Sequence, residues 1–289
     1  KVVIDTASES NCSNDCPTLP LATYVSRNAA FAGIHGAYAC PAEYPSCAGK
    51  TNSFDLLIMN KNKFLQHLES KKVLLADGAT GTNLHKMGLK PGIPTEDLVF
   101  DQPGLLLELA TSFVKAGADI ILTCTFGGTR VRMKESKYVD RVAEVNTRAA
   151  ELARQAAMSG EDVLVAGSMG PTGQIMKPYG PLDPEEARAA FKEQAAALVA
   201  GGVDLLVMET HFAYEEADAA YQAARSVTDL PIVVSFSYDR GTRTMMGVKP
   251  ADMIKRYRSM GAALVGANCG TTLENMEKVL QEYTLAEPG

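Results

Sequence analysis

One junction recurs along this chain and constrains its fold more than any other feature. Ala116-Gly-Ala-Asp-Ile-Ile-Leu122, Gly201-Gly-Val-Asp-Leu-Leu-Val207 and Met260-Gly-Ala-Ala-Leu-Val-Gly266 each carry a helix-like segment through a glycine into an apolar run. Glycine at that point supplies a left-handed helix terminus, and an unbroken apolar run after it reads as a strand buried on both faces. The repeat predicts six strands, at residues 73–77, 119–123, 163–167, 205–209, 232–235 and 263–268. Helices are expected between them at 103–116, 139–158, 184–200, 214–226 and 250–260, with a sixth at 272–283.

Strict alternation of strand and helix leaves an open doubly wound sheet or a barrel. The turn after the first strand, Asp77-Gly-Ala-Thr-Gly-Thr82, has neither the dinucleotide glycine spacing nor the Walker lysine, which removes the main support for the open sheet. Polar or reactive residues close nearly every strand: Asp77, Thr123 with Cys124, Ser168, Glu209 with His211, Ser235 and Cys269. Many strands contributing to one mouth is how a barrel builds its site. The expected fold is therefore α/β, a (β/α)8 TIM-type barrel truncated after its sixth βα unit. The alternative is that the first segment, whose one candidate strand is residues 2–5, completes the sheet.

That first segment, residues 1–58, is rich in Ser, Asn, Ala, Pro and Cys and lacks a sustained helical or strand period. It has no basic start followed by an apolar block, so it does not read as a secretory signal. Cys12, Cys16, Cys40 and Cys47 fall within it, at spacings that suit no zinc knuckle, whereas only Cys124 and Cys269 lie beyond. Met59 opens an amphipathic helix. The expected organisation is a Cys-rich N-terminal extension over 1–58 and a barrel over 59–289. A net charge of −6 and a pI near 5.4 argue against nucleic acid or an anionic membrane as partner. No apolar run reaches the length of a membrane span, and a cytoplasmic location is expected.

Cys269 ends the apolar run 263–268 at a strand-to-helix turn, where α/β proteins hold ligands, although a lone cysteine also often fills core space. Five motifs in order, Asp77-Gly-Ala-Thr-Gly-Thr82, Thr123-Cys-Thr-Phe126, Gly167-Ser-Met-Gly-Pro171, Met208-Glu-Thr210 and Gly266-Ala-Asn-Cys-Gly270, resemble the homocysteine S-methyltransferase family. The resemblance covers residues 61–287 and leaves 1–58 untouched. It implies methyl transfer to the thiol of homocysteine, forming methionine, with zinc deprotonating that thiol while holding it in place. Cys269 matches the family's first zinc ligand. The other two belong to a Gly-Gly-Cys-Cys motif, and no Cys-Cys pair occurs in this sequence. Cys124 is a less favoured ligand candidate. A single thiolate does not hold catalytic zinc, which takes three protein ligands plus substrate.

The same resemblance assigns Glu209 to the amino group of homocysteine, Asp77 and Gly78 to the turn that closes over the substrate, and Thr125 to substrate binding. Asn268 is expected to brace the Cys269 turn. The competing reading of both carboxylates is capping, or an internal salt bridge with Arg130 or Arg243. His211 reads as a solvated or hydrogen-bonded loop histidine, His85 as surface or packing, and Met169, Met176, Met245 and Met246 as packing. Family members take methyl groups from methylcobalamin or a corrinoid protein, betaine or S-methylmethionine. The loop 172–182 resembles the cobalamin-dependent branch, whose corrinoid would arrive on another chain or domain. Two other readings remain: a noncatalytic or fragmentary barrel that binds an amino acid or partner, and a barrel enzyme of other chemistry, with no lysine at a strand end to form a Schiff base.

Overall fold

The three glycines of the repeated junction, Gly117, Gly202 and Gly261, all take left-handed backbone angles, with φ of 96°, 85° and 86°. In this computed structural model the described residues are 63–71, 73–269 and 272–286, together with the backbone of three strands, β1 (Val2–Asp5), β2 (Ala32–Tyr38) and β3 (Asn52–Ile58). Two compact units divide the chain, Lys1–Glu69 and Ser70–Gly289.

In the first unit the three strands pair antiparallel in the order β1-β3-β2, with Val2 and Ala32 both opposite Ile58. Only β1 was foreseen in the sequence. β2, Ala-Gly-Ile-His-Gly-Ala-Tyr, carries two glycines that hide its period, which corrects the expectation of a single strand there. Cys12, Cys16, Cys40 and Cys47 lie outside the described residues. Helix α1 (Lys63–Lys71) follows, within the amphipathic stretch expected after Met59.

In the second unit five strands pair in parallel and in chain order: β4 (Ile120–Leu122), β5 (Leu164–Met169), β6 (Leu205–His211), β7 (Ile232–Phe236) and β8 (Leu264–Ala267). The strand expected at 73–77 is reduced to one parallel bridge, Ala76 to Ile120, on the outer side of β4. The helices are α2 (Thr80–Lys86), α3 (Leu98–Asp101), α4 (Pro103–Lys115), α5 (Val142–Ala157), α6 (Pro184–Ala200), α7 (Tyr214–Arg225), α8 (Pro250–Ser259) and α9 (Leu273–Ala286). A doubly wound sheet reverses its strand order partway. This sheet never does, and right-handed crossovers that always step the same way put every helix on one face. The result is a barrel-like arc.

Alanine-rich faces of α5, α6 and α7 let these helices lie close to β5 and β6, whose Leu164, Val165, Ala166, Leu206 and Met208 are fully buried. Larger side chains fill the far side, where the rings of Tyr214, Phe236, Tyr257 and Tyr221 follow one another at 6.0, 5.7 and 6.0 Å, within the range of favourable tilted aromatic packing.

The junction aspartates do more than the sequence suggested. Asp119 Oδ2 accepts the Leu75 N–H at 2.9 Å, and Asp204 Oδ2 accepts the Val165 N–H at 2.7 Å while also holding Arg154. Each carboxylate thus ties the start of its own strand to the preceding one. The third junction has Ala263 at that position and lacks the tie.

Candidate active site

The carboxyl ends of these strands gather the polar residues read from the sequence. Asp77, just past the Ala76 bridge, accepts the Leu122 N–H through Oδ2 at 2.9 Å, which fixes its carboxylate against β4. Glu209, near the end of β6, accepts from the Ser168 hydroxyl of β5 at 2.5 Å. The salt-bridge alternative is not what forms: Arg130 is held by Glu193 at 3.0 and 2.6 Å, and no ion pair among the described residues includes Asp77 or Glu209.

Burial pushes both acids up. Asp77 reaches about 7, its Leu122 N–H bond opposing the rise and the charge of Glu209 adding to it. Glu209 is raised by burial against the lowering effect of the Ser168 hydroxyl. Two half-buried carboxylates without a cation are costly when ionised, and an ammonium group between them would relieve that cost.

A pH dependence follows. Asp77 has a folded pKa above its unfolded value, so its contribution to stability is fully present below about pH 4 and is lost as pH rises towards 7. An ammonium ligand prefers the ionised acid, so its affinity should rise between about pH 6 and 8, with proton release on binding. Calorimetry in buffers of different ionisation enthalpy reads both effects, and affinity that is flat across that interval would contradict the coupling.

Asn268 is the hub of the opposite wall. Its Oδ1 accepts the Thr210 N–H at 2.9 Å and the Ser235 hydroxyl at 2.6 Å, while its Nδ2 donates to Thr210 Oγ1 at 2.7 Å and reaches Cys269 Sγ at 3.4 Å. The ends of β6, β7 and β8 are thereby locked together through side-chain bonds, where the sequence suggested only a local turn. Thr210 and Cys269 are both non-glycine residues at positive φ, 63° and 57°, and their Oγ1 and Sγ lie 3.7 Å apart. Left-handed backbone at a β-branched residue is an outlier that costs on the order of 1–3 kcal/mol, and such strain clusters at functional sites. Thr210 had no assigned role in the sequence, although it closes the Met208-Glu-Thr210 motif.

Other candidates are placed differently. Gly78 lies against Phe113, where an added Cβ would come within 3.1 Å of the ring. Thr125 is fully buried, and its hydroxyl donates to the Ser168 carbonyl at 2.7 Å, so it braces β5 to the loop after β4. Cys124 points its thiol at the Thr95 carbonyl, 3.6 Å away; burial, then the charge of Glu96, holds its pKa well above the usual thiol range, which disfavours a thiolate ligand. His211 corrects its expected solvated loop position. It ends β6, fully buried near the rings of Phe191 and Phe236, and burial lowers its pKa to about 4 against the opposing effect of the Met169 backbone.

The zinc expectation meets a plain test. Among the described residues no three His, Cys, Asp or Glu side chains gather to hold a metal, and the groups within reach of Cys269 Sγ are a hydroxyl and an amide. One thiolate with such neighbours does not fit a catalytic zinc site. No helix among the described residues is long and apolar enough to cross a membrane.

Comparison with known proteins converges on one family. The homocysteine S-methyltransferase family model matches residues 74–288. The chain is 31% identical over 233 residues to the S-methylmethionine–homocysteine S-methyltransferase BHMT2 of Pongo abelii, covering 78% of this chain and 61% of that protein. It is 29% identical to betaine–homocysteine S-methyltransferase 1 of Danio rerio, covering 73% of this chain and 52% of that one. The chain thus spans about half to three-fifths of the length of these curated relatives. The homocysteine methyltransferase MmuM of Escherichia coli in its metallated form shares the fold, with a TM-score of 0.68 at 24% identity over 76% of this chain and 82% of that one.

Proposed function

The chain belongs to the homocysteine S-methyltransferase family, and from that premise we propose that it binds homocysteine at the Asp77–Glu209 mouth as the acceptor of a methyl group. The observation that carries this reading is the pair of half-buried carboxylates that form no ion pair among the described residues, one of which feels the charge of the other. An α-ammonium group supplies the missing charge. Asn268 joins the end of β6, which bears Glu209, to Cys269, so one braced wall can address both ends of the amino acid.

In the transfer, the homocysteine sulfur attacks the methyl carbon of the donor as a thiolate. A sulfur–carbon bond forms, the bond from that methyl to the donor's cationic nitrogen or sulfur breaks, and its electron pair leaves with the donor, which departs as an amine or sulfide. The thiol proton passes to solvent. Asp77 and Glu209 bind and orient the amino acid, Ser168 holds the Glu209 carboxylate, and Asn268 with Thr210 fixes the wall beside the sulfur. We assign the donor to the onium class that the names of the BHMT2 and betaine-dependent relatives carry, in preference to the methylcorrinoid expected from the loop 172–182. Cys269 is proposed to stand beside the homocysteine sulfur, and the described residues around it do not complete the zinc site that the family resemblance implies.

The test is calorimetric titration of the chain with homocysteine, with and without zinc, alongside Cys269→Ser. One molecule of homocysteine bound per chain, with or without zinc, is the expected outcome. No homocysteine binding under either condition would overturn the proposal.

A further inference from the structure

Arg243, one of the two arginines able on sequence to neutralise a mouth carboxylate, forms no ion pair among the described residues. Its Nη1 is buried and has no hydrogen-bond partner. Such a group is uncommon, because a buried donor left unmade carries its full desolvation cost, and the cost is larger for a charged one.

The backbone beneath Arg243 is fixed. The connection after β7 starts at Ser237, whose N–H donates to the His211 carbonyl at 2.9 Å, and then folds into a two-residue hairpin in which Arg240 and Arg243 each donate an N–H to the other's carbonyl, at 3.0 and 3.1 Å. Gly241, the first central residue, takes a φ of 65°, as a hairpin turn that opens on glycine requires. The exit is anchored by Thr244, fully buried, whose hydroxyl donates to the Phe212 carbonyl at 2.7 Å and accepts the Val248 N–H at 3.1 Å. In the sheet β7 lies between β6 and β8. The hairpin therefore rises from the strand edge that carries Glu209 on one side and Cys269 on the other.

Residues that exchange both bonds across an antiparallel bridge send their side chains to the same face, with Cα atoms about 5.5 Å apart. Two guanidinium groups thus share one face of this turn, although like charges directly opposite each other are destabilising. Arg240 is also in no ion pair among the described residues. The neighbouring acid, Asp239, has its Oδ1 accept from the Ser237 hydroxyl at 2.8 Å. Acidic residues outnumber basic ones in the chain, 34 to 28, so this uncompensated pair is a local arrangement. A metal ion or an ammonium group is repelled here, and an apolar group leaves the charge unanswered. An oxyanion answers it, since the planar guanidinium fork matches carboxylate and phosphate oxygens two at a time.

We propose that Arg240 and Arg243 form an oxyanion clasp above the ends of β6, β7 and β8, which takes the carboxylate or phosphate group of a small-molecule ligand. The inference goes beyond the methyl-transfer reading and does not depend on it, because the clasp is the same whichever molecule brings the anion. The α-carboxylate of an amino acid held by Asp77 and Glu209 is one source, and a second, separate anionic molecule is the other.

Inorganic phosphate and acetate, titrated into the full chain at constant ionic strength, are the probes, read by calorimetry and by NMR of the arginine Nε–Hε resonances. Phosphate should bind saturably and shift two arginine resonances. Arg243→Gln should weaken that binding at least tenfold without lowering the melting temperature, because no ion pair is lost; Arg243→Lys, which keeps the charge and loses the fork, should fall between the two. Displacement of phosphate by homocysteine but not by 3-aminopropane-1-thiol, which lacks the carboxylate, would assign the clasp to the amino acid, whereas displacement by neither would assign it to a second molecule. Either result upholds the clasp. Phosphate and acetate that both fail to saturate, or saturable binding that survives Arg240→Gln and Arg243→Gln alike, would overturn it. Failure of homocysteine to bind at all would defeat the acceptor proposal alone, and the phosphate titration would still decide the clasp.

Discussion

Glu209→Gln is expected to weaken homocysteine binding roughly 10- to 150-fold while leaving the chain at least as stable as before. Glutamine keeps the shape of the side chain and an oxygen for the Ser168 hydroxyl, so the fold loses little. What disappears is the charge facing the ligand's ammonium group, and hydrogen bonds to charged groups are worth about 1.5–3 kcal/mol. The sign on stability is the discriminating part. Burial raises the Glu209 pKa above its ordinary value, so above that ordinary value the ionised form opposes folding, and a neutral replacement removes the opposition. Asp77 should also ionise more readily, since the charge of Glu209 contributes to its high pKa. Affinity by calorimetry and thermal unfolding at about pH 8 check both halves. A variant that binds homocysteine normally but unfolds earlier would make Glu209 a structural residue.

Gly128→Ala is expected to destabilise the second unit by about 3 kcal/mol. An added Cβ would lie against Asn146 Oδ1, 2.8 Å from Gln194 Nε2 and 3.0 Å from the Thr125 carbonyl. Both amides are fully buried and already committed, Asn146 Nδ2 donating to the carbonyls of Gly128 and Val142 and Gln194 Nε2 to that of Thr125. The methyl group has no apolar space to enter and must break bonds that no water can replace. For a domain of this size the loss corresponds to a fall in melting temperature of roughly 6–12 °C. A melting temperature within about 2 °C of the parent would mean that the knot beneath the mouth is looser than the geometry indicates.

The fold was legible where local chemistry repeats. The glycines at 117, 202 and 261 announce helix ends, and the apolar runs after them become β4, β6 and β8. Strand-end residues were equally readable, because position in a βα unit decides which edge they reach; Asp77, Glu209, Asn268 and Cys269 all arrive there. What escaped is what depends on pairing between distant residues. Asn268 and Thr210 are 58 residues apart, and nothing local to either shows that one amide ties two strand ends. Thr125 sits in the motif as expected, yet its hydroxyl is spent on the Ser168 carbonyl because β5 lies directly alongside. His211 follows a carboxylate and a threonine, which reads as a polar loop, but β6 continues through it and carries the ring into the core. The first strand shrinks to a bridge because one neighbour, β4, is all that pairs with it among the described residues.

The central claim is that this mouth recognises the amino group of a thiol amino acid. Its most direct test compares homocysteine with 4-sulfanylbutanoate, which keeps the carboxylate and thiol and lacks only the amine, in parallel titrations of the full chain at about pH 6. The account predicts that homocysteine binds at least tenfold more tightly and releases protons as Asp77 ionises beside its ammonium group. Equal affinity for the two ligands, without proton release, would contradict it.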